Sequence, residues 1–244
     1  MLPIYLPIAN SVLASLPRVE YLRLLPSLEP VHLAEGDLLC EAGMPLAYVY
    51  FPGDCLVSLL TLVDGGQVFA VALVGREGMT SVATALGAQR SPFRALVQAS
   101  GNALRMPSAA FVAEFRTSAA LRAVVLAYVL SLTEQISQTA ACNRFHGIEA
   151  RLARWLLMTR DRLSLDHFHM THDMLGHLLG VRRVGVTHAA HGLKLRGLID
   201  YSRGAITITD GSGLRAAACS CYRMLDSRHG AAGPVLPPLP ARAA

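Results

Sequence analysis

Thr171-His-Asp-Met-Leu-Gly-His-Leu-Leu-Gly180-Val-Arg-Arg-Val-Gly-Val-Thr-His-Ala-Ala190-His-Gly-Leu-Lys194 carries more of the fold than any other stretch of the chain. Thr171 is a good N-cap because its hydroxyl can accept from backbone donors one turn in. Asp173 then falls in the electropositive first turn of a helix. Met174, Leu175, Leu178 and Leu179 supply an apolar face, and Gly180 can take the left-handed conformation that ends it. Val181 leads into a second helix with Val186, Ala189, Ala190 and Leu193 facing inward. Two short helices about a glycine turn make a helix-turn-helix. Gly176, Ala189 and Ala190 are small enough for the backbones to approach at a steep crossing. The face left over on the second helix presents Arg182, Arg183, Thr187 and His188, and arginines at a helix start can read guanine O6 and N7 in the major groove. An ordinary helical hairpin with a basic end is the plainer alternative.

Downstream, Leu198–Tyr201 and Ala205–Thr209 alternate like two strands, with Ser202-Arg203-Gly204 at the tip. A helix-turn-helix followed by such a hairpin is a winged helix, and Arg203 is placed to touch a phosphate. Charge agrees with this. Of the 22 Lys and Arg and 17 Asp and Glu, residues 1–143 hold 8 and 10, whereas residues 144–229 hold 13 and 7. A basic segment of domain size is the footprint expected for a polyanion partner.

Working upstream, Val31 to Pro107 is a series of short strands broken at Gly36-Asp37, Gly43, Pro52-Gly53-Asp54 and Asp64-Gly65-Gly66, the spacing of a small barrel or sandwich. A hairpin is expected across Asp64-Gly65-Gly66. Asn10 can cap a short helix through Val12, Leu13 and Leu16. After Pro107 the period changes: Leu121, Val125, Tyr128, Leu132 and Ile136 line one face of a long helix reaching Phe145. That stripe ends in Gln135, Gln138, Thr139 and Asn143, which suits a dimer seam growing wetter toward one end; a buried core helix is the alternative. A further helix from Gly147 has Ile148, Leu152, Leu156 and Leu163 inward and Arg151, Arg154, Arg160 and Arg162 outward, and Ser164 to Phe168 reads as a loop. The expected division is residues 1–117 as a β-roll, 118–146 as a dimerisation helix, 147–229 as the winged helix and 230–244 as a disordered Pro- and Ala-rich tail.

The 244 residues suffice for a core without disulfide staples, and 52% hydrophobic against 16% charged residues excludes a disordered chain. The uncharged run Ala123 to Thr133 falls short of the roughly 20 residues a membrane span needs. Pro3, Pro7 and Pro17 interrupt an uncharged start without a leading basic residue, which argues against a signal peptide and for a cytoplasmic protein without a membrane partner. Five cysteines without framework spacing do not make a secreted disulfide scaffold. Neither a Gly-x-Ser-x-Gly elbow nor a Walker loop is present, so an enzyme is not expected.

The chain resembles the Crp/Fnr superfamily of transcription regulators over nearly its whole length. The resemblance rests on the helix-turn-helix Thr171-x3-Leu175-Gly176-x2-Leu179-Gly180-Val181-x-Arg183 and the wing Gly197-Leu-Ile-x-Tyr201-x-Arg203-Gly-x-Ile206. It is also carried by Tyr50-Phe-Pro52, Gly75-Arg-Glu-Gly-Met79, Ala141-Cys-Asn143 and Cys219-x-Cys-Tyr222. It implies an α+β fold: an N-terminal β-roll (a jelly roll like a cyclic-nucleotide-binding domain), a long dimerisation helix and a C-terminal winged helix-turn-helix. The function implied is that of a homodimer reading a pseudo-palindromic operator in double-stranded DNA, with RNA polymerase as a further partner. Thr171 matches the family's phosphate-contacting threonine. His172 stands where arginine is common, Arg183-Val184 replaces an Arg-Glu pair, and His188 replaces a base-facing arginine.

The effector is not identified. Arg76, Glu77, Arg90 and Arg94 are the candidate effector residues, but Phe93 stands where a cyclic-phosphate arginine is wanted, which weighs against a cyclic nucleotide. Cys40 and Cys55 alone do not support an iron–sulfur cluster. His167, His169 and His172 with Cys219 and Cys221 have metal-ligand chemistry, but histidines near DNA commonly meet phosphates and a helical Cys-x-Cys pair is commonly just buried, so no metal site is assigned. The competing reading is a small-molecule, metal or redox sensor whose winged helix binds another protein.

Overall fold

The computed structural model describes residues 9–63 and 68–226. The hairpin tip at Asp64-Gly65-Gly66, the first eight residues and the 230–244 tail lie outside the described residues. Asn10 caps α1 (Ser11–Ala14) by accepting from the Val12 and Leu13 amides, and α2 (Arg18–Leu24) follows. Seven strands come next: β1 (Glu29–Leu33), β2 (Leu38–Cys40), β3 (Tyr48–Pro52), β4 (Leu56–Leu62), β5 (Val68–Val74), β6 (Arg94–Ala99) and β7 (Gly101–Pro107). They form two antiparallel sheets, ordered β1-β7-β3 and β2-β6-β4-β5. β4 pairs with β5 across the expected hairpin.

α3 (Ser108–Thr117) leads to α4 (Ala119–Phe145), whose start is capped by the Ser118 hydroxyl accepting from the Leu121 amide. Val49, Phe51, Val57, Val71, Val97 and Met106 of the sheets close over Phe111 of α3 and over Leu121, Val125, Tyr128 and Leu132 of α4. The stripe expected to form a dimer seam is therefore used inside the chain: Leu121, Val125, Tyr128, Leu132, Gln135, Thr139 and Cys142 are its buried positions. Gln135 is not a wet end of that stripe. Its side chain accepts from the Leu73 amide (2.8 Å) and donates to the Leu73 carbonyl (3.2 Å), so α4 covers the open edge of β5. On the opposite side of α4, Ala123, Leu126, Leu130, Thr133, Ser137 and Ala140 are exposed. These too recur every three or four residues, so the helix carries two seams, one filled and one free. By length and composition α4 is also apolar enough to cross a membrane, more than the sequence reading allows.

The remaining elements are α5 (Ile148–Leu163), β8 (His167–His169), α6 (His172–Leu179), α7 (Arg183–Leu195), β9 (Ile199–Ser202), β10 (Ala205–Ile208), α8 (Gly211–Ala217) and α9 (Ser220–Asp226). β8 corrects the expected loop: it pairs with β10 and completes a sheet ordered β8-β10-β9. α5 corrects the expected amphipathic helix. Leu152, Trp155, Leu156 and Leu157 are buried, but so are Arg151 and Arg154. Arg151 donates to the Leu179 carbonyl, and Arg154 donates to the Thr139 hydroxyl of α4 at 3.1 Å. Arg162 reaches Glu77 of the roll at 2.8 Å.

The winged helix docks on the roll. Leu56 and Leu60 of β4 and Ala70 and Leu73 of β5 share a core with Trp155, Leu175, Leu178 and Leu179. β4 is therefore apolar on both faces, which is why Cys55-Leu-Val-Ser-Leu-Leu-Thr-Leu62 reads as a nearly continuous hydrophobic run instead of alternating.

Candidate nucleic-acid interface

The two helices of the motif are held as local chemistry dictates. Thr171 accepts from the Met174 amide through its hydroxyl, and Gly180 ends α6 at φ 62°. A side chain at Gly176 would press to 3.0 Å from the Val181 carbonyl oxygen, so glycine lets the turn between α6 and α7 close without shifting that backbone by a few tenths of an ångström. Val186, Ala189, Ala190 and Leu193 anchor α7 to the core. The opposite face presents Arg182, Arg183, Val184, Thr187, His188 and His191 to solvent.

Arg182 is the N-cap residue of α7 and Arg183 its first residue. Asp173, in the first turn of α6, lies 3.6 Å from Arg183 Nε and orients the guanidinium; both side chains are more than 60% exposed. Val184 is 59% exposed beside it. From the sequence, Val184 figures only as the loss of an acidic reader. An exposed apolar side chain on a recognition helix suits a thymine methyl group, and its exposure beside Arg183 is the signal that sequence reasoning lacks. Thr187 donates to the Arg183 carbonyl at 3.1 Å and meets His172 Nδ1 at 3.0 Å.

His172 does not lie on the surface with the others. Its ring is buried, its centroid is 4.4 Å from that of Tyr201, and Nε2 is enclosed without a partner. Burial, then the nearby Arg183 charge, push its pKa below the ordinary histidine value. The expectation that His172 touches DNA is corrected on that ground: it braces the base of α7 against the wing. In the wing, Arg203 and Gly204 both have positive φ (50° and 87°), the two-residue turn that matches strand twist, and Arg203 is exposed at its tip. Of the sequence-predicted candidates, Arg182, Arg183, Thr187, His188 and Arg203 are exposed on the winged helix, Thr171 is half-buried at the start of α6, and His172 is buried.

The four candidate effector residues do not form one site. Glu77 is held by Arg162 and accepts from the Gly75 amide at 3.2 Å, while the exposed Arg76 lends its carbonyl to the Ser11 amide. Arg90 donates to the Gly43 carbonyl at 2.7 Å. Arg94 is engaged by both oxygens of Glu41, at 2.9 and 3.0 Å, so an incoming phosphate would have to displace a carboxylate. Arg94 borders a cleft of about 420 Å³ between roll and winged helix, with Leu60, Met174 and His177. A second cleft, of about 390 Å³, is lined by Tyr21, His32, Phe51 and Asn102 among others and by none of the four. Nor do the three histidines join Cys219 and Cys221: His167 meets Thr207 (3.0 Å), His169 meets Glu35 (3.5 Å) and His172 meets Thr187.

Comparison with known proteins agrees with this geometry. Residues 150–217 match the Crp-like helix-turn-helix domain. No curated protein matches the chain in sequence. Among solved structures, FixK2 from Bradyrhizobium japonicum is similar at a TM-score of 0.67 and 14% identity, over 79% of this chain and 98% of its own. A Crp/Fnr-family transcriptional regulator from Thermus thermophilus gives 0.63 and 20%, over 78% and 98%. The c-di-GMP responsive global regulator CLP of Xanthomonas campestris gives 0.65 and 12%, over 79% and 99%.

Proposed function

We propose that this chain, which carries a Crp-like helix-turn-helix domain on the fold of Crp/Fnr-family transcription regulators, acts as a cytoplasmic homodimer that binds a pseudo-palindromic operator and responds to a signal received in its roll. The observation that carries the reading is the exposed face of α7, which presents Arg182, Arg183, Val184, Thr187 and His188 to solvent, together with Arg203 exposed at the tip of the wing. Arg183 and Val184 read base edges, Arg182 and His188 assist them, and Thr171 and Arg203 hold phosphates.

The free seam of α4 supports the homodimer. Ala123, Leu126, Leu130, Thr133, Ser137 and Ala140 follow the alternating three- and four-residue spacing of a two-helix interface, with Leu130 62% exposed. Two copies joined there present two recognition helices, and half-sites one helical turn apart, about 34–36 Å, fit such a pair. A signal would act by altering how the winged helix docks on the roll, through the Glu77–Arg162 pair and the shared β4–β5 core. The output would pass to RNA polymerase. The competing role, a winged helix that grips a protein through apolar contact, is separated by salt. DNA affinity measured by fluorescence anisotropy should fall steeply with added salt, with a log–log slope near −0.9 for each phosphate neutralised; a salt-independent affinity would reject the proposal.

A further inference from the structure

Ala141-Cys-Asn143 and Cys219-x-Cys-Tyr222 take no part in the interface above, yet the fold brings them together. Cys142 lies in the last turn of α4, and His146 is the residue that caps that helix, its amide donating to the Cys142 carbonyl, so the two are held together at the helix end. Cys219 and Cys221 fall where α8 gives way to α9, Cys219 between the two helices and Cys221 at the start of the second. That break matters: two residues apart in one continuous helix, the thiols would diverge, whereas here both turn toward α4. Cys142 Sγ is 3.4 Å from Cys219 Sγ, and Cys221 Sγ is 3.4 Å from His146 Nδ1. All four ligand atoms lie within 4.8 Å of one another, and the three cysteines are buried.

We propose that Cys142, His146, Cys219 and Cys221 bind one zinc ion, which pins the C-terminal end of the winged helix to the end of α4. Three thiolates and one imidazole are a tetrahedral zinc donor set. With Zn–S near 2.3 Å, the edge between two sulfurs of a tetrahedron is about 3.8 Å, so the observed spacings, from 3.4 Å to no more than 4.8 Å, bracket that edge and close on a metal with separations changing by about an ångström or less.

Two surrounding features point the same way. Gln138 Nε2 donates to Cys221 Sγ at 2.9 Å, the kind of outer hydrogen bond that orients a ligand and supports a thiolate. Arg154 is buried on Thr139, one turn before Cys142, and Arg151 is buried near it beside Ala150, which packs on the cysteines. Neither guanidinium meets a carboxylate among the described residues, and the Nε of each is without a partner. Buried cations need compensating negative charge. A zinc ion with three thiolates and a neutral imidazole has a net charge of −1 and supplies it.

The site joins α4 to α9 across the corner at His146 and Gly147, where the long helix ends and α5 begins. It thus sits at the joint about which the winged helix would have to turn. Metal content does not depend on whether the chain binds DNA, so the two proposals fail separately.

The test uses the full-length protein, purified under reducing conditions, loaded with zinc chloride and desalted. Elemental analysis should give one zinc per chain, and the Cys142→Ser, Cys219→Ser and Cys221→Ser variants should lose it while Cys40→Ser keeps it. Cobalt(II) loaded into the wild-type protein should show thiolate-to-cobalt charge transfer and tetrahedral d–d bands, a readout that survives if a ligand variant fails to fold. Gln138→Ala should retain the site with metal affinity reduced about 10- to 100-fold. Wild-type protein without stoichiometric zinc, a cobalt spectrum without thiolate bands, an iron–sulfur chromophore, or a Cys142–Cys219 disulfide that forms in place of metal binding would each overturn the assignment.

Discussion

Replacing Arg183 with alanine separates sequence reading from mere attraction to DNA. In the free protein this side chain is 69% exposed and pairs with the exposed Asp173 carboxylate at 3.6 Å. Exposed pairs of this kind contribute little to stability, so the variant should fold and melt as the wild type does. A bidentate arginine–guanine contact discriminates by about 1–3 kcal/mol. A symmetric operator bound by two chains engages the arginine twice, so the loss on the best site should be about 2–6 kcal/mol, or roughly 30-fold to 10⁴-fold in affinity. Binding to unrelated duplex should weaken far less, because one cation per chain is a minor part of the phosphate attraction. The assay is a cycle with four arms: wild type and Arg183→Ala, each against the preferred operator and one with the contacted base pair changed in both half-sites. The base change should cost the wild type its full discrimination and the variant almost none. Equal losses on both duplexes would refute the reasoning and show that α7 is wrongly phased against the groove.

Three other outcomes are expected. Arg203→Ala, at the tip of the wing, should weaken all sequences alike and reduce the log–log salt slope by about one per chain, read from anisotropy across a salt series. Leu130→Arg places a charge in the middle of the free α4 seam and should convert the dimer to a monomer in sedimentation velocity while leaving thermal unfolding of the monomer nearly unchanged; a persisting dimer would move the interface elsewhere. His172 is held below its ordinary pKa by burial, so the unfolded chain binds the proton more readily than the folded one. Its contribution is therefore complete above the unfolded value of about 6.5 and is lost as pH falls through the lower folded value. His172→Asn, which keeps a partner for Thr187, should make urea midpoints less sensitive to acid than in the wild type, and an unchanged sensitivity would exonerate this residue.

What the sequence reveals divides along a physical line. Thr171, Gly180 and the buried series Val186, Ala189, Ala190 and Leu193 are legible because caps, left-handed turns and helical periodicity are decided within a few residues. The wing is legible for the same reason, since Arg203-Gly204 specifies its own turn. Arg151 and Arg154 are misread because an amphipathic reading sends every arginine to water, whereas α5 is enclosed by α4, the roll and the motif helices. The face assignment of α4 fails similarly: two stripes with the same spacing lie on opposite sides, and nothing local says which one the roll will take. β8, three residues long, has no period of its own and exists by pairing with β10. His172 is read from its neighbours in the motif, while its burial follows from Tyr201, 29 positions away. The cysteines show the limit most clearly. Proximity along the chain offers His167, His169 and His172 as companions of Cys219 and Cys221, but the fold supplies Cys142 and His146, more than 70 residues upstream.

The central claim is that two copies of α7 read one duplex together. Selection of bound fragments from random double-stranded DNA by the full-length protein, followed by sequencing, tests it most directly. An enriched inverted repeat with half-sites about one helical turn apart is the predicted result. A selected pool without enrichment, or one enriched in a lone asymmetric element, would contradict the account.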